Sequence, residues 1–484
     1  MNASLEYFVR SLNRVFLALA LSLCFWFVPE SAGAHGIWGH IHVTGWAIEN
    51  LPDGELRDFF SDPEVFNAAL YGACFTDSGY FLRSADLEKR ARAYGEHTHW
   101  EPFVQDYIEW MQENDPPPWD SLESRKRAAF LMGCASHGFQ DEFFDSVFLH
   151  QIEARDQGDQ EAADGGTDGF LFDADLIRFV PEEYIPMDIL MELYSSLDEE
   201  VSEEIIEKSV KMMHTLYMNN TTGKSVALAF DEEYADELPW TKAHFLDPSI
   251  PGSLRAEILP TGAYMQAIWE RMHAGFDPDE VVIFSFPEAG RPLLGSESES
   301  VDSWVTLIYG AGIHQDSVEG TWKNEEGKPL AFELAGSRWG ASYSRLQSFR
   351  PAENLVPGSQ HSIGLAAGLQ LVDGTQTKKD YSLDFRVGCS DSEDTRCPKL
   401  SERVAPSLDG SGAPEGLYDP PEEISDAEEG QDSEDPDAID SAESSGAGSG
   451  CSIRGGPLSS LPLVVFFLFL LVSRRPSAFG RTQA

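Results

Sequence analysis

Near Asp277 the spacing of apolar residues along this chain changes, and a single uniform architecture cannot satisfy both halves. From His35 to about Gly275 they recur every three or four positions, as in "SRKRAAFLMGCASHGFQDEFFDSVFLHQIEAR", "SEEIIEKSVKMMHTLYMNN" and "TGAYMQAIWERMHAG". That period puts the apolar side chains on one stripe of a helix and predicts an all-α bundle. Beyond Asp277 short alternating runs such as "GTWKNEEGKPLAFEL" and "YSLDFRVG" are separated by Gly, Pro, Asn and Asp, the pattern of strands and hairpins. The expected fold class is therefore multidomain: a helical bundle over residues 35–276 followed by a β-sandwich over 277–389.

The two ends read as processing signals. Arg10 and Arg14 precede the apolar run "VFLALALSLCFWFV", and Ala32, Gly33 and Ala34 supply the small residues of a signal-peptide cleavage site, so residues 1–34 are expected to be removed on export. The new terminus would be His35, whose α-amino group, with a pKa near ~7.7, can lose its proton and ligate a metal. Residues 390–450 form an acidic spacer, and Arg403 is the sole basic residue between Glu402 and Glu443. Such a stretch buries too little apolar surface to offset the entropy of ordering. The net charge of -48 argues against electrostatic binding of nucleic acid, which needs basic surface. Residues 451–484 join Cys451, an apolar run from Leu461 to Val472, and Arg474 with Arg475. They resemble the MYXO-CTERM sorting tags of Gram-negative bacteria, which implies display at the cell surface or outer membrane, with release possible. A plain C-terminal membrane anchor is the alternative.

Six cysteines are too few for a disulfide scaffold, and Cys24 and Cys451 belong to the processed ends. Cys389 and Cys397 flank a short acidic loop that a local disulfide would close. Cys74 and Cys134 each lie three residues before a candidate ligand, Asp77 and His137. A disulfide pinning those two segments together is expected, with thiolate ligation of zinc as the rival.

Those ligands form the chemical signal of the chain. His137, Asp141 and Asp145 follow one another at spacings of four, which on a regular helix puts all three on one face. His40 in "HGIWGHIHVTGW", Asp77 in "GACFTDSGY" and His99 in "GEHTHWEPF" supply further imidazole and carboxylate groups, and Asp164 and Asp168 lie in "EAADGGTDG". Histidines and carboxylates from separate segments of a helical bundle are a donor set that zinc selects. His42 and His97 read as exposed or outer residues, His150 as structural, and Trp38, Trp46 and Trp100 as core aromatics.

The run from His35 to about Asp168 resembles the zinc-dependent phospholipase C family, and within it the catalytic domain of glycosylphosphatidylinositol-specific phospholipase D. "GIWGH" with "AIENL", "FTDSGY", "THWEPF" followed by "PPPW", and "AFLMGCASHGFQD" carry the resemblance. It implies that the amine and carbonyl of His35 and the ring of His40 hold one zinc. Asp77, His99 and His137 would hold a second, with Asp141 bridging and Asp77 orienting or deprotonating the attacking water. The chain departs from that pattern at Asp145 and Gln160, where imidazoles are expected. A third site built from Asp145, Asp164 and Asp168 would suit calcium or magnesium, or stay empty. The stretch from Ser348 to Gly388 resembles the end of bacterial Ig-like domains. The implied function is hydrolysis of a phospholipid or glycosylphosphatidylinositol headgroup, of phospholipase C or D type. A single-strand-specific zinc nuclease and a non-catalytic surface adhesion protein are the alternatives.

Overall fold

The computed structural model describes residues 36–82, 84, 87–218, 234–288, 290–338, 340–388, 405–409 and 412–414. His35, the N-terminal signal, Cys389, Cys397, most of the acidic spacer and the C-terminal tag lie outside them. Within them the order is helical first and sheet-forming second. Helices α1 (Ile37–Glu49), α2 (Glu55–Phe59), α3 (Pro63–Phe75), α4 (Glu88–Thr98), α5 (Glu101–Asn114) and α6 (Leu122–Phe143) come first. They are followed by α7 (Leu149–Arg155), α8 (Gln160–Asp173), α9 (Met187–Leu193), α10 (Glu203–Met213), α11 (Pro239–His244) and α12 (Leu254–Met272). None is long and apolar enough to cross a membrane.

Local chemistry sets several of these starts. Asp62, with Pro63 behind it, accepts the Glu64 N–H and opens α3; Ser121 does the same for α6 through Ser124 N, and Ser253 for α12 through Ala256 N. Helices α3 and α6 touch backbone to backbone at two glycines. A Cβ on Gly72 would lie 2.2 Å from the Phe130 carbonyl oxygen, and one on Gly133 would lie 2.0 Å from that of Ala69. No side chain can yield there, so Gly133→Ala must push the helices apart and is expected to cost about 3 kcal/mol, measured by denaturant unfolding. An unchanged midpoint would show that the crossing is looser than this.

The same crossing corrects the expectation for Cys74 and Cys134. Both are buried free thiols. Cys74 Sγ donates to the Tyr71 carbonyl on its own helix at 3.3 Å, and burial pushes both thiols up. Glycine contact, not a disulfide, already holds these segments together, and neither sulfur belongs to a metal-competent cluster of the described residues.

The strands are β1 (Val282–Phe286), β2 (Pro292–Leu293), β3 (Val305–His314), β4 (Gly320–Asn324), β5 (Phe332–Ala335), β6 (Tyr343–Pro351), β7 (Gln360–Leu365) and β8 (Tyr381–Val387). They make two four-stranded sheets, ordered β1-β3-β6-β5 and β2-β8-β7-β4. All pairings are antiparallel except β2 with β8. Val305, Leu307, Tyr309 and Phe349 of the first sheet share a core with Trp322, Ile363, Leu383 and Phe385 of the second. The intervening residues Ile308 and Leu346 face the other way and join the core of the helices. Strand β3 is thus covered on both faces, which is why nine of its ten residues are buried without the usual alternation.

One part of the expected spacer also has a place. Asn50 exchanges two hydrogen bonds with the Ser407 backbone, Arg255 donates to the Pro406 carbonyl, and Leu408 packs on the helical core. Proline and leucine at 406 and 408 give this short stretch the apolar contact that the acidic residues around it lack.

Candidate metal centre

Five side chains from four segments converge inside the bundle. Helix α1 supplies His40, the tight turn Thr76–Phe81 after α3 supplies Asp77, the end of α4 supplies His99, and α6 supplies His137 and Asp141 one turn apart. All are buried. The Asp141 carboxylate divides between them: Oδ1 lies 3.1 Å from His40 Nε2, and Oδ2 lies 3.2 Å from His99 Nε2 and 3.3 Å from His137 Nε2. Asp77 Oδ1 sits 3.4 Å from His99 Nε2 and 3.6 Å from His137 Nε2. The rings of His40 and His137 stack with centroids 3.6 Å apart.

These distances can be compared with a metal's own geometry. Two ligand atoms each ~2.0 Å from a tetrahedral zinc lie about 3.3 Å from one another. The nitrogen-to-oxygen separations of 3.1–3.6 Å bracket that value. Two sets, His40 with Asp77 and His137, and His99 with His137 and Asp141, bring one donor atom per residue within 4.8 Å of each other.

The outward faces of the rings fix the inward ones. His99 Nδ1 donates to the Gly95 carbonyl at 2.7 Å and His137 Nδ1 to the Ala73 carbonyl, so in the neutral form of each ring Nε2 is the nitrogen whose lone pair faces the centre. His40 Nδ1 lies 3.0 Å from Gln140 Oε1, and Gln140 in turn donates to Thr44. Burial alone would lower His99, but its hydrogen bond to Asp77 and the charges of Asp141 and Asp77 prevail and raise it to about 9. Burial would likewise raise Asp141, yet His137 and His40 hold it well below the usual carboxylate range. His137 is lowered, by burial first and the nearby His40 second.

The remaining candidates are placed differently. Helix α6 passes at Phe144–Phe148 into a single π turn, within which Asp145 is fully buried, and its charge acts with that of Asp141 on Asp164 and Glu257. Asp164 on α8 is buried with neither carboxylate oxygen hydrogen-bonded among the described residues. Burial and then the charges of Asp145, Asp141, Asp77 and Asp168 push it well above its ordinary value. Asp168 has other work: its oxygens accept the Gly39 N–H at 2.8 Å, the Trp38 N–H at 3.2 Å and the Tyr217 hydroxyl at 2.8 Å. It caps the N-terminus of α1 and so places His40, and a Cβ on Gly36 would strike it at 2.1 Å. Burial raises its carboxyl to about 6 in spite of those three donors.

His42 is a buried structural residue, not an exposed one. Its Nδ1 donates to the Trp38 carbonyl and its Nε2 accepts the Arg178 and Phe179 N–H groups. His150 pairs with Glu153 at 3.1 Å, and Trp38 and Trp46 lie in the core. Gln140, Tyr217 and Glu257 were not legible as site residues. Gln140 is the one with a signal, since it falls between His137 and Asp141 on α6. Glu257, buried on α12, is raised well above its usual value by burial and by the charges of Asp141 and Asp145.

Comparison with known proteins bears on the helical part. Residues 39–221 match the family described as zinc dependent phospholipase C. That span contains His40, Asp77, His99, His137, Asp141, Asp145, Asp164 and Asp168, and it ends before α11 and every strand. The chain is 28% identical over 213 residues to phosphatidylinositol-glycan-specific phospholipase D of Rattus norvegicus, covering 41% of this chain and 24% of that protein. The corresponding protein of Bos taurus is 31% identical over 121 residues, covering 24% of this chain and 14% of its own. The chain therefore spans a quarter or less of the length of these curated relatives.

Proposed function

From the premise that residues 39–221 carry the domain of the zinc-dependent phospholipase C family, we propose that this protein is a metal-dependent phosphodiester hydrolase acting on phospholipid headgroups, of phospholipase C or D type. The division of the Asp141 carboxylate, one oxygen toward His40 and the other toward His99 and His137, is the observation that supports it most. In this reading the ring of His40, with the amine and carbonyl of His35, would hold one zinc, Asp77, His99 and His137 would hold a second, and Asp141 would serve both. Bound zinc supplies Lewis acidity toward a phosphate oxygen and makes a water acidic near neutral pH. The chain's own residues do the rest. The Gly95 and Ala73 carbonyls keep Nε2 of His99 and His137 directed inward, and Gln140 steadies His40. Asp77, flanking both rings, orients the attacking water or takes its proton.

Asp145 and Asp164 are the residues that would hold a third cation, with calcium or magnesium favoured by their oxygen donors. Asp168 serves α1 in this account and contributes through it. The reading extends to an exported protein held at the cell surface, whose two sheets form an Ig-like sandwich. The formal net charge of -48 over the full sequence disfavours the nuclease alternative, because the substrate would be a polyanion.

The test is metal content together with turnover. Protein purified without chelator is expected to carry at least two zinc ions per chain and to hydrolyse a chromogenic phosphodiester. It should prefer phosphatidylcholine or a glycosylphosphatidylinositol to single-stranded DNA. Preference for DNA would favour the nuclease, and a metal-free, inactive chain would end the hydrolase reading.

A further inference from the structure

We propose that the sheet region completes the metal centre, with Arg345 of β6 acting as a positioning residue for His99 and Asp141. The inference rests on the metal-centre reading above. Arg345 enters the helical part from outside the span that matches the family. It is buried to within 1% of its surface, and a guanidinium taken that far from water costs several kcal/mol unless it is fully paired.

Its partners are the segments that carry the ligands. Arg345 Nη2 donates to the backbone carbonyl of His99 at 2.7 Å. The Arg345 N–H reaches Glu142 Oε1 at 3.1 Å and Oε2 at 3.2 Å, its Nη1 lies 3.6 Å from Glu142 Oε2, and the neighbouring Ser344 hydroxyl donates to the same carboxylate. Glu142 is the residue after Asp141. Arg345 Nε lies 3.5 Å from Oε1 of Glu101, two residues beyond His99, and Arg271 and Tyr264 of α12 bind that carboxylate too. Two guanidinium groups thus face two carboxylates, Arg345 meeting Glu101 through Nε and Glu142 through Nη1 at ion-pair distance.

The backbone leaves this arrangement little freedom. Gly138 follows His137, and a Cβ there would lie 2.1 Å from the His99 carbonyl oxygen and 3.0 Å from Arg345 Nη1. The turn bearing His99 is therefore clamped between α6 and the guanidinium. Because the His99 ring is oriented by the Gly95 carbonyl of that same turn, a shift of the turn moves Nε2 relative to Asp141. On the other side, β6 main chain grips Glu142 and with it the register of Asp141. A strand some two hundred residues away in sequence fixes both ends of the 3.2 Å contact at the core of the site.

Arg345→Lys keeps the charge and loses the planar fork, and Ser344→Ala removes one hydroxyl from Glu142 without placing a new charge. Leu307→Ala, opposite Gln347 on the neighbouring strand and with its side chain in the core shared by the two sheets, serves as the control for destabilisation alone. Zinc affinity by chelator competition, and the visible spectrum of the cobalt-substituted full-length protein, are measured well below each unfolding midpoint. Arg345→Lys is expected to weaken zinc binding by about 10–100-fold and to shift the cobalt bands. Ser344→Ala should weaken binding several-fold, and Leu307→Ala should lower the midpoint with affinity and spectrum unchanged. Wild-type affinity and spectrum in both Arg345→Lys and Ser344→Ala would overturn the proposal, as would an equal loss in Leu307→Ala. A wild-type protein that takes up no zinc would instead defeat the metal-centre reading, and this inference with it.

Discussion

Asp141→Asn is expected to reduce phosphodiester turnover by at least about three orders of magnitude, roughly 4 kcal/mol of lost transition-state stabilisation, and to lower zinc content from two ions per chain to one or none. The side chain keeps its size, so the packing around it survives. What it loses is one anionic oxygen. In the wild-type protein Oδ1 faces His40 and Oδ2 faces His99 and His137. An amide nitrogen has no lone pair to offer, so Asn can serve one side of the site and not both. The two rings on the other side are then left around a cation without its shared counter-charge. Metal analysis and steady-state rates on the same preparation decide the matter. Two zinc ions and a full rate in the variant would remove Asp141 from the bridging role.

Stripping the metal from the wild-type protein is expected to abolish turnover and to lower the thermal midpoint by on the order of 10 °C. Asp77, Asp141, Asp145 and Asp164 are buried in one region of the bundle, and Asp164 has no hydrogen bond among the described residues to offset its burial. Burial and the neighbouring carboxylates already push Asp164 toward its protonated form, so a cation entering the site competes with protons. At free metal about a thousandfold above the dissociation constant, the linkage contributes about 4 kcal/mol, and each kcal/mol moves the midpoint of a domain this size by roughly 2–4 °C. Calorimetry before and after chelation, with zinc added back, measures it. In two buffers of different ionisation enthalpy, titration should also reveal proton release on zinc binding. A midpoint indifferent to chelator and zinc would mean that no ion stabilises this cluster.

The sequence spoke most clearly where a local period carries the information. The helical spacing before Gly275 and the alternating runs after Asp277 correspond to the twelve helices and eight strands among the described residues. His137 and Asp141 were legible together because four residues of regular helix return to the same face. Asp145 continues the same spacing, but the π turn over Phe144–Phe148 that carries it is a feature spacing cannot announce. His40, Asp77 and His99 were identifiable as residue types within short motifs, but their convergence is tertiary. The capping of α1 by Asp168 and the carbonyls behind His99 and His137 leave no trace in a pattern of side chains. Cys74 and Cys134 invited a disulfide because their positions flank ligands, whereas the glycines beside them bring the backbones into contact and make a covalent tie unnecessary.

Strand β3 gives alternate side chains to different interiors, Leu307 and Tyr309 to one and Ile308 to the other. Divided near Asp277, the protein would have an oily scar on each piece, and the helical piece would also lose the arginine that reaches the His99 turn. The β-region is therefore a wall of the helical core and not a separable attachment to it.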